Sequence, residues 1–173
     1  PNVDAVLELK HKIWPHIKNK LPDANLQVYG AYAPQQIREL HNPQQGFLIQ
    51  GWAEDAKTVF QSARICLAPL RFGAGLKGKL LDAMKFGIPS VTSEIGAEGM
   101  CGTLPFNGVI VDTPLEFASE AVALYSNASK WKQAQRNGFQ LLEKRFQKRI
   151  FSEAFIHCVQ TLQKTLTSHR KTY

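Results

Sequence analysis

Hydrophobic and polar positions along the chain follow two alternating periods, one typical of strands and one typical of helices. Short, almost wholly apolar runs predict β-strands that are buried on both faces. They lie at 26–29, 47–50, 65–68, 90–92 and 108–111. Between and after them, apolar residues recur at helical spacing, which predicts helices at 3–20, 34–41, 55–63, 76–86, 114–126, 129–145 and 149–168. Pro15 predicts a kink or break in the first helix, and residues 94–106, which are rich in glycine, predict a loop.

This alternation of strands and helices determines the expected fold class. Short apolar strands joined by helical segments are typical of a parallel sheet with helices on both faces. We therefore expect a single α/β domain over residues 1–173, with a C-terminal helical extension. Ligands of such sheets bind beyond the carboxyl ends of the strands. Loops follow three of these ends, after residues 50, 68 and 92, and we expect them to form one site.

The segment 68–84 carries the strongest indication of a ligand. It passes from a predicted strand through two glycines into a predicted helix, where free N–H groups and the positive end of the helix dipole converge. This pattern predicts a phosphate or diphosphate site; alternatively, the glycines only make a tight turn. It matches neither G-x-G-x-x-G nor the P-loop pattern. The candidate residues are Gly73, Ala74, Gly75, Leu76, Lys77 and Lys79.

A carboxylate and an aromatic residue extend the candidate site. Asp82 lies in the predicted helix, where it can accept hydrogen bonds from the hydroxyls of a ribose. Alternatively, it pairs with Lys79 or Lys85 at helical spacing. Gly51 and Trp52 follow a strand and are candidates for contact with a base, or else are a turn glycine and a packed aromatic ring. The combination favours a nucleotide-type ligand.

The sequence indicates neither a catalytic nucleophile nor a metal centre. The histidines form no ligand cluster, and there is no D-x-D pair to hold a divalent metal under a diphosphate. Glu94 and Glu98, in the 94–106 loop, face either a substrate or solvent. Three widely spaced cysteines argue against a disulfide framework or a zinc site and favour reduced, cytosolic thiols. We therefore predict no metal and no other cofactor, and no catalytic residue is identified.

Composition and charge limit the class of protein. The chain has 173 residues, of which 44% are hydrophobic, and no apolar run approaches the ~20 residues that span a membrane. The net charge of +7 indicates an anionic partner. Much of the excess positive charge lies on predicted helices near the C-terminus and is not interleaved with aromatic residues. This distribution favours a solvated helix face or a peripheral membrane patch over a nucleic-acid-binding surface. Because the chain begins at Pro1 without a signal peptide, we expect it to be a piece of a longer protein.

These motifs resemble those of a known family. The stretch 67–84, followed by 87–92 and 96–99, is similar in order and spacing to the donor-binding half of the retaining group 1 nucleotide-sugar glycosyltransferases. These enzymes have the GT-B architecture of two facing Rossmann-like domains. The similarity extends over nearly the whole chain. It implies a C-terminal, Rossmann-like half of a two-domain enzyme whose N-terminal acceptor domain is absent from this sequence.

The resemblance also implies a function and roles for the candidates. The donor would be a nucleoside-diphosphate sugar, and the acceptor a glycan or glycolipid in polysaccharide or glycoconjugate assembly. The backbone of 73–77 would bind the donor diphosphate, and Lys79 would help to neutralise the leaving nucleoside diphosphate without a metal. Asp82 would hold the ribose, and residues around Gly51 and Trp52 would contact the base. The enzyme would be cytoplasmic, at the inner face of the membrane.

Two departures from the family pattern bear on this expectation. Asp82 stands where the family usually has a glutamate, and Ala74 stands where many relatives have a glutamate that contacts the sugar. They motivate the alternative of a non-catalytic nucleotide- or anion-binding module. We also expect the chain by itself to bind nucleotide weakly and to transfer little or no sugar.

Overall fold

Within residues 1–147, the fold contains five short β-strands, and each lies where the apolar runs predict it. The computed structural model describes residues 1–147. All three strand pairings are parallel, as expected for strands joined through helices. The strands are β1 (Leu26–Tyr29), β2 (Phe47–Gly51), β3 (Cys66–Ala68), β4 (Ser90–Thr92) and β5 (Gly108–Ile110).

Helices connect and cover the strands. A 3₁₀ turn at Pro43–Gln45 precedes β2, and its Asn42 side chain accepts a hydrogen bond from the Gln45 N–H. The helices are α1 (Asn2–Glu8), α2 (Trp14–Lys20), α3 (Gln35–Arg38), α4 (Ala56–Gln61), α5 (Gly78–Lys85), α6 (Glu94–Ala97), α7 (Pro114–Ser126) and α8 (Ala128–Arg145). The predicted helix at 149–168 lies outside the described residues.

The predicted first helix is one helical segment with a change of winding. A π-helical turn at Leu9–Ile13 joins α1 to α2, directly before Pro15. Proline lacks an N–H and its ring crowds the preceding turn, so a wider turn relieves both conflicts without ending the helix. The irregularity predicted from Pro15 is therefore present, and it lies on the N-terminal side of the proline.

Two apolar clusters cover opposite faces of the strands. One joins the segment 2–20 to α7 and includes the fully buried Ile13, Phe47 and Phe117. The other joins α5 to α8 through Leu80 and Leu141. Helices on both faces of parallel strands confirm the predicted α/β class.

One helix near the predicted site begins later than the sequence predicts, and another helix was not predicted. Helix α5 begins at Gly78 and not at 76, so residues 74–77 precede the helix. The predicted 94–106 loop contains the short helix α6, which begins because the Ser93 hydroxyl accepts a hydrogen bond from the Gly96 N–H. Serine at this position is a helix-start signal that the glycine content of the segment obscured.

The strands form two separate sheets. Strands β1 and β2 form one, and β3, β4 and β5 form the other in that order. Strand β4 is central, and all three of its residues are buried. A wide cleft of about 960 Å³ lies between the sheets, lined by residues of both β1 and β3.

Candidate functional site

The loop 71–77 lies between the carboxyl end of β3 and α5, and it contains two glycines in unusual backbone conformations. Gly73 and Gly75 have φ of 131° and 73°, conformations that residues with a side chain rarely adopt. No heavy atom lies within 4 Å of the position of a Cβ on Gly75. The surface of the loop at Gly75 is therefore open.

The N-terminus of α5 offers unsatisfied donors beside this loop. Its N-cap residue, Lys77, makes no capping hydrogen bond through its side chain, and the first turn holds no acidic residue. The first N–H with a partner inside the helical turn is that of Leu80, which donates to the Lys77 carbonyl at 2.9 Å. The N–H groups of Gly78 and Lys79 thus have no intrahelical acceptor, and the helix dipole favours an anion there. The predicted order of strand, glycine loop and helix start is present, although the helix starts two residues later than expected.

The two candidate lysines are held differently. The Lys77 ammonium donates to the Gly75 carbonyl at 2.5 Å and so folds back on its own loop. Lys79 reaches across to the N-terminal helix, where it donates to Asn2 Oδ1 at 2.6 Å. Desolvation of its ammonium lowers the pKa of Lys79, and the neighbouring Lys77 charge acts in the same direction. An anion bound here would offset both effects.

Asp82 lies one helical turn after Gly78, on the same side of α5. Its side chain is half-buried. Among residues 1–147, its carboxylate has neither an ion pair nor a hydrogen bond, so the alternative pairing with Lys79 or Lys85 does not occur. A carboxylate without a protein partner is available to accept hydrogen bonds from a ligand.

An ion pair fixes the start of the N-terminal helix against the loop. Arg71 donates to both carboxylate oxygens of Asp4, with Nε to Oδ2 at 2.9 Å. The Arg71 hydrogen bond holds the pKa of Asp4 below its usual value of 3.8. Arg71 Nε also lies 4.0 Å from Glu8, a nearly buried carboxylate that pairs with Lys12 at 3.1 Å. Sequence inspection missed this pair because its members lie far apart in the chain.

Aromatic side chains border the cleft between the two sheets. Trp52 follows Gly51 at the end of β2 and is 68% exposed, so it is not a packed core residue. Tyr32, in the loop after β1, is 97% exposed and lines the same cleft. The cleft also reaches Asn2 and Lys79. Tyr32 was missed, although its place just beyond a strand end is the signal that could have identified it.

The third predicted loop, which follows β4 at residue 92, borders a second cavity and not the cleft. A smaller cavity of about 190 Å³ lies at the carboxyl ends of β3, β4 and β5, lined by Arg71, Ser93 and Asp112 among others. Glu94 and Glu98 are exposed, and neither lines this cavity or the cleft. The structure therefore places Trp52, after β2, at the wide cleft, whereas residues 69–71, directly after β3, line the smaller cavity. Asp82, Glu94 and Glu98 line neither space.

Comparison with known proteins assigns the family. The family model described as "Glycosyl transferases group 1" matches residues 1–127. The chain belongs to the group 1 glycosyl transferases. Among curated relatives of this transferase chain is an "Uncharacterized 44.6 kDa protein in cps region" of Klebsiella pneumoniae, 24% identical over 162 residues. That match covers 89% of the chain and 42% of the relative, so the transferase chain spans less than half of this relative's length.

Solved structures share the fold of this group 1 transferase chain. One is a mutant of S. aureus TarM in complex with fondaparinux, alpha-GlcNAc-glycerol and UDP, with a TM-score of 0.73 and 12% identity. The match covers 88% of the chain and 31% of TarM. Another is the pneumococcal O-GlcNAc transferase GtfA with UDP and GlcNAc, with a TM-score of 0.68 and 15% identity over 92% of the chain and 33% of GtfA. The GT-B, Rossmann-like fold expected from the resemblance is confirmed.

The described part of this transferase chain contains neither a metal-binding cluster nor a membrane-spanning helix. Within residues 1–147, no three His, Cys, Asp or Glu side chains are grouped so that they could hold a metal ion. In the same part of the chain, no helix has the length and apolar character needed to cross a bilayer.

Proposed function

We propose that this chain is the donor-binding half of a glycosyltransferase that moves a sugar from a nucleoside-diphosphate sugar to a glycan or glycolipid acceptor. The observation that carries the proposal is the combination at α5: an N-terminus without a side-chain cap, an open glycine loop, and the unpartnered carboxylate of Asp82 one turn further on. Backbone donors suited to an anion and a carboxylate suited to sugar hydroxyls thus lie one helical turn apart, which supports the proposal of a diphosphate and its ribose.

Each candidate has a role in this proposal. The N–H groups of Gly78 and Lys79, with the loop 73–77, bind the diphosphate. Asp82 accepts hydrogen bonds from the ribose, and the exposed ring of Trp52 stacks on the base at the other end of the cleft. UDP is present in the TarM and GtfA structures, which supports a nucleotide donor for this chain as well.

Charge stabilisation of the leaving group is the proposed chemical contribution of this half. Transfer of the sugar leaves a nucleoside diphosphate, whose negative charge grows as the bond to the sugar breaks. In this proposal, the dipole of α5 and the ammonium of Lys79 stabilise that charge. We include metal independence in the proposal, and transfer by the whole protein that survives chelation by EDTA would support it.

The proposal extends to the acceptor and to the surroundings of the enzyme. The acceptor binds to the N-terminal domain of the whole protein, and assembly takes place in the cytoplasm at the inner face of the membrane. The excess of positive charge supports contact with anionic lipid. The chain should co-sediment with phosphatidylglycerol vesicles and not with phosphatidylcholine vesicles, and equal sedimentation with both would contradict the membrane contact.

A ligand panel tests the donor assignment. We expect at least one of UDP, GDP and ADP, alone or as a sugar conjugate, to raise the melting temperature of the chain. The nucleotide with the preferred base should give a larger shift than the other two. The shift should be lost in Asp82→Asn. Absence of a shift from all of them at millimolar concentration would refute the donor site. Family membership favours this function over a non-catalytic nucleotide- or anion-binding module.

A further inference from the structure

The loop between β3 and α5 has few backbone contacts of its own. Residues 71–76 are all exposed, and among residues 1–147 no backbone–backbone hydrogen bond involves any of them. Gly73 and Gly75 add conformational freedom, which must be restricted if the loop is to hold a ligand in one place. The conformation of the loop 71–77 therefore depends on contacts that its side chains make with the rest of the chain.

One side chain of this loop, that of Arg71, is held by the N-terminal helix. Its Nε and one terminal nitrogen donate to the two carboxylate oxygens of Asp4, a paired geometry that fixes the direction of both side chains. Glu8, on the next turn of α1, lies 4.0 Å from Nε and adds a second negative charge. The Arg71 side chain is still 55% exposed, so direct contact with a bound anion is the alternative role for it.

Two further contacts join the first turn of α1 to the same region. A Cβ on Gly73 would lie 3.5 Å from Cγ of Pro1, so the N-cap residue of α1 touches the middle of the loop. Lys79, in the first turn of α5, donates to Asn2 Oδ1 at 2.6 Å. The first turn of α1 thus contacts the loop at its start, in its middle and just beyond its end.

We propose that Arg71 is a positioning residue for the donor site: it holds the loop 71–77 against α1 in the conformation that binds the diphosphate. This inference rests on the proposed function. Because Asp4 already offsets the charge of Arg71, the arginine adds little net attraction for a diphosphate and acts through the loop. A loop that is held in place before the nucleotide arrives loses less conformational entropy on binding, which increases the affinity.

Substitution of both partners tests this role. The dissociation constant of the nucleoside diphosphate that the native chain binds most tightly (UDP, GDP or ADP) is measured by calorimetry at neutral pH for Arg71→Gln, Asp4→Asn and the double variant. Lys12→Gln is the matched control, because it removes a charge whose ion pair lies within the N-terminal helical segment. Circular dichroism verifies that each variant is folded at the temperature used. NMR relaxation of the Gly73 and Gly75 amides measures the order of the loop without nucleotide.

We expect each single variant to bind nucleotide about five- to tenfold more weakly than the control. The double variant should bind no more weakly than either single variant, because two residues that act as one unit have non-additive effects. The order parameters of Gly73 and Gly75 should fall in all three variants. Asp4→Glu, which retains the carboxylate, should recover most of the affinity.

Different results would overturn the proposal in distinguishable ways. If Arg71 contacted the diphosphate directly, Arg71→Gln would weaken binding, whereas Asp4→Asn, which frees the arginine, would not. If the pair only stabilised the fold, the variants would melt earlier but would bind nucleotide as tightly as the control while folded. Tight binding by every variant would therefore refute the role of Arg71 alone. A native chain that binds no nucleotide would refute the donor site and, with it, the role of Arg71 there.

Discussion

At the scale of single residues, the two aspartates near the glycine loop have opposite environments. Asp4 accepts two hydrogen bonds from Arg71 and holds the N-terminal helix in place. Asp82 has no partner among residues 1–147. A carboxylate that already has a partner contributes to stability, whereas one without a partner is available for a ligand. The two residues should therefore respond differently to substitution.

Asp82→Asn should weaken nucleotide binding and leave folding unchanged. Loss of charge-assisted hydrogen bonds to the ribose predicts an affinity about ten- to a hundredfold lower, as measured by calorimetry. Glu143→Gln is the matched control, because Glu143 is an exposed acid on α8 outside the site. If Asp82→Asn bound nucleotide as tightly as the control, the assignment of Asp82 to the ribose would be wrong.

Asp4→Asn should destabilise the chain in a manner that depends on pH. Because Arg71 lowers the pKa of Asp4 in the folded state, the stabilisation is present above the unfolded pKa near 3.8 and is lost as pH falls through the folded pKa. The difference in free energy of unfolding between the native chain and Asp4→Asn should accordingly shrink below pH 3.8. A difference that stays constant from pH 7 down to pH 2 would contradict this account.

At the scale of elements, close packing at the strand ends positions the loops of the site. The Thr92 hydroxyl, at the end of β4, donates to the Ala68 carbonyl at the end of β3 at 2.7 Å. Helix α6 begins directly after it, and Gly96 approaches Thr92 so closely that a Cβ would lie 1.9 Å from Thr92 Oγ1. The hydrogen bond between the two strand ends therefore depends on a glycine in the next helix.

Gly96→Ala should therefore lower the free energy of unfolding by about 1–3 kcal/mol, the usual cost of overpacking a buried site. Gly30→Ala is the control, since no atom lies within 4 Å of its Cβ position and its φ is not positive. Denaturant unfolding of both variants measures the difference. Equal stability of the two variants would show that α6 moves aside at no cost.

Strands and helices were predicted correctly from the sequence where a local pattern of residues is sufficient to define them. All five strands were found because buried parallel strands are short apolar runs bounded by polar or glycine residues. The start of α5 was placed two residues early, because Leu76 fits the helical period although the chain is not yet helical there. Helix α6 was missed because it is a single turn, shorter than any periodic signal.

At the scale of the whole molecule, the chain is shorter than the solved transferases that share its fold. It covers 31% and 33% of the two solved transferases that share its fold. In the proposed function, the residues that hold the acceptor opposite the donor site lie in the remainder of a whole protein. A donor site without an acceptor site cannot bring the two reactants together, and that positioning supplies much of the rate of a transfer reaction.

We expect the 173-residue chain to bind nucleoside diphosphate weakly and to transfer no sugar by itself. Transfer from a radiolabelled nucleotide sugar, assayed for the chain and for the whole protein, distinguishes the two. The whole protein carrying Asp82→Asn is the control, because any transfer that it retains does not depend on this site. Sustained transfer by the chain alone would show that the acceptor also binds within residues 1–173.

The sequence by itself determined the α/β class, the strands, the glycine loop and the position of Asp82 in a helix. These features are local, because apolar period, glycine content and the order of strand and helix can be read within a few residues. Only the tertiary structure decided which side chains have partners. The Arg71 pair with Asp4, the bond from Lys79 to Asn2, and the isolation of Asp82 depend on how distant segments pack. The gap between β1 and β3 is also decided at that level, since strand order in a sheet is a property of the assembled chain and leaves no mark on any single run of residues.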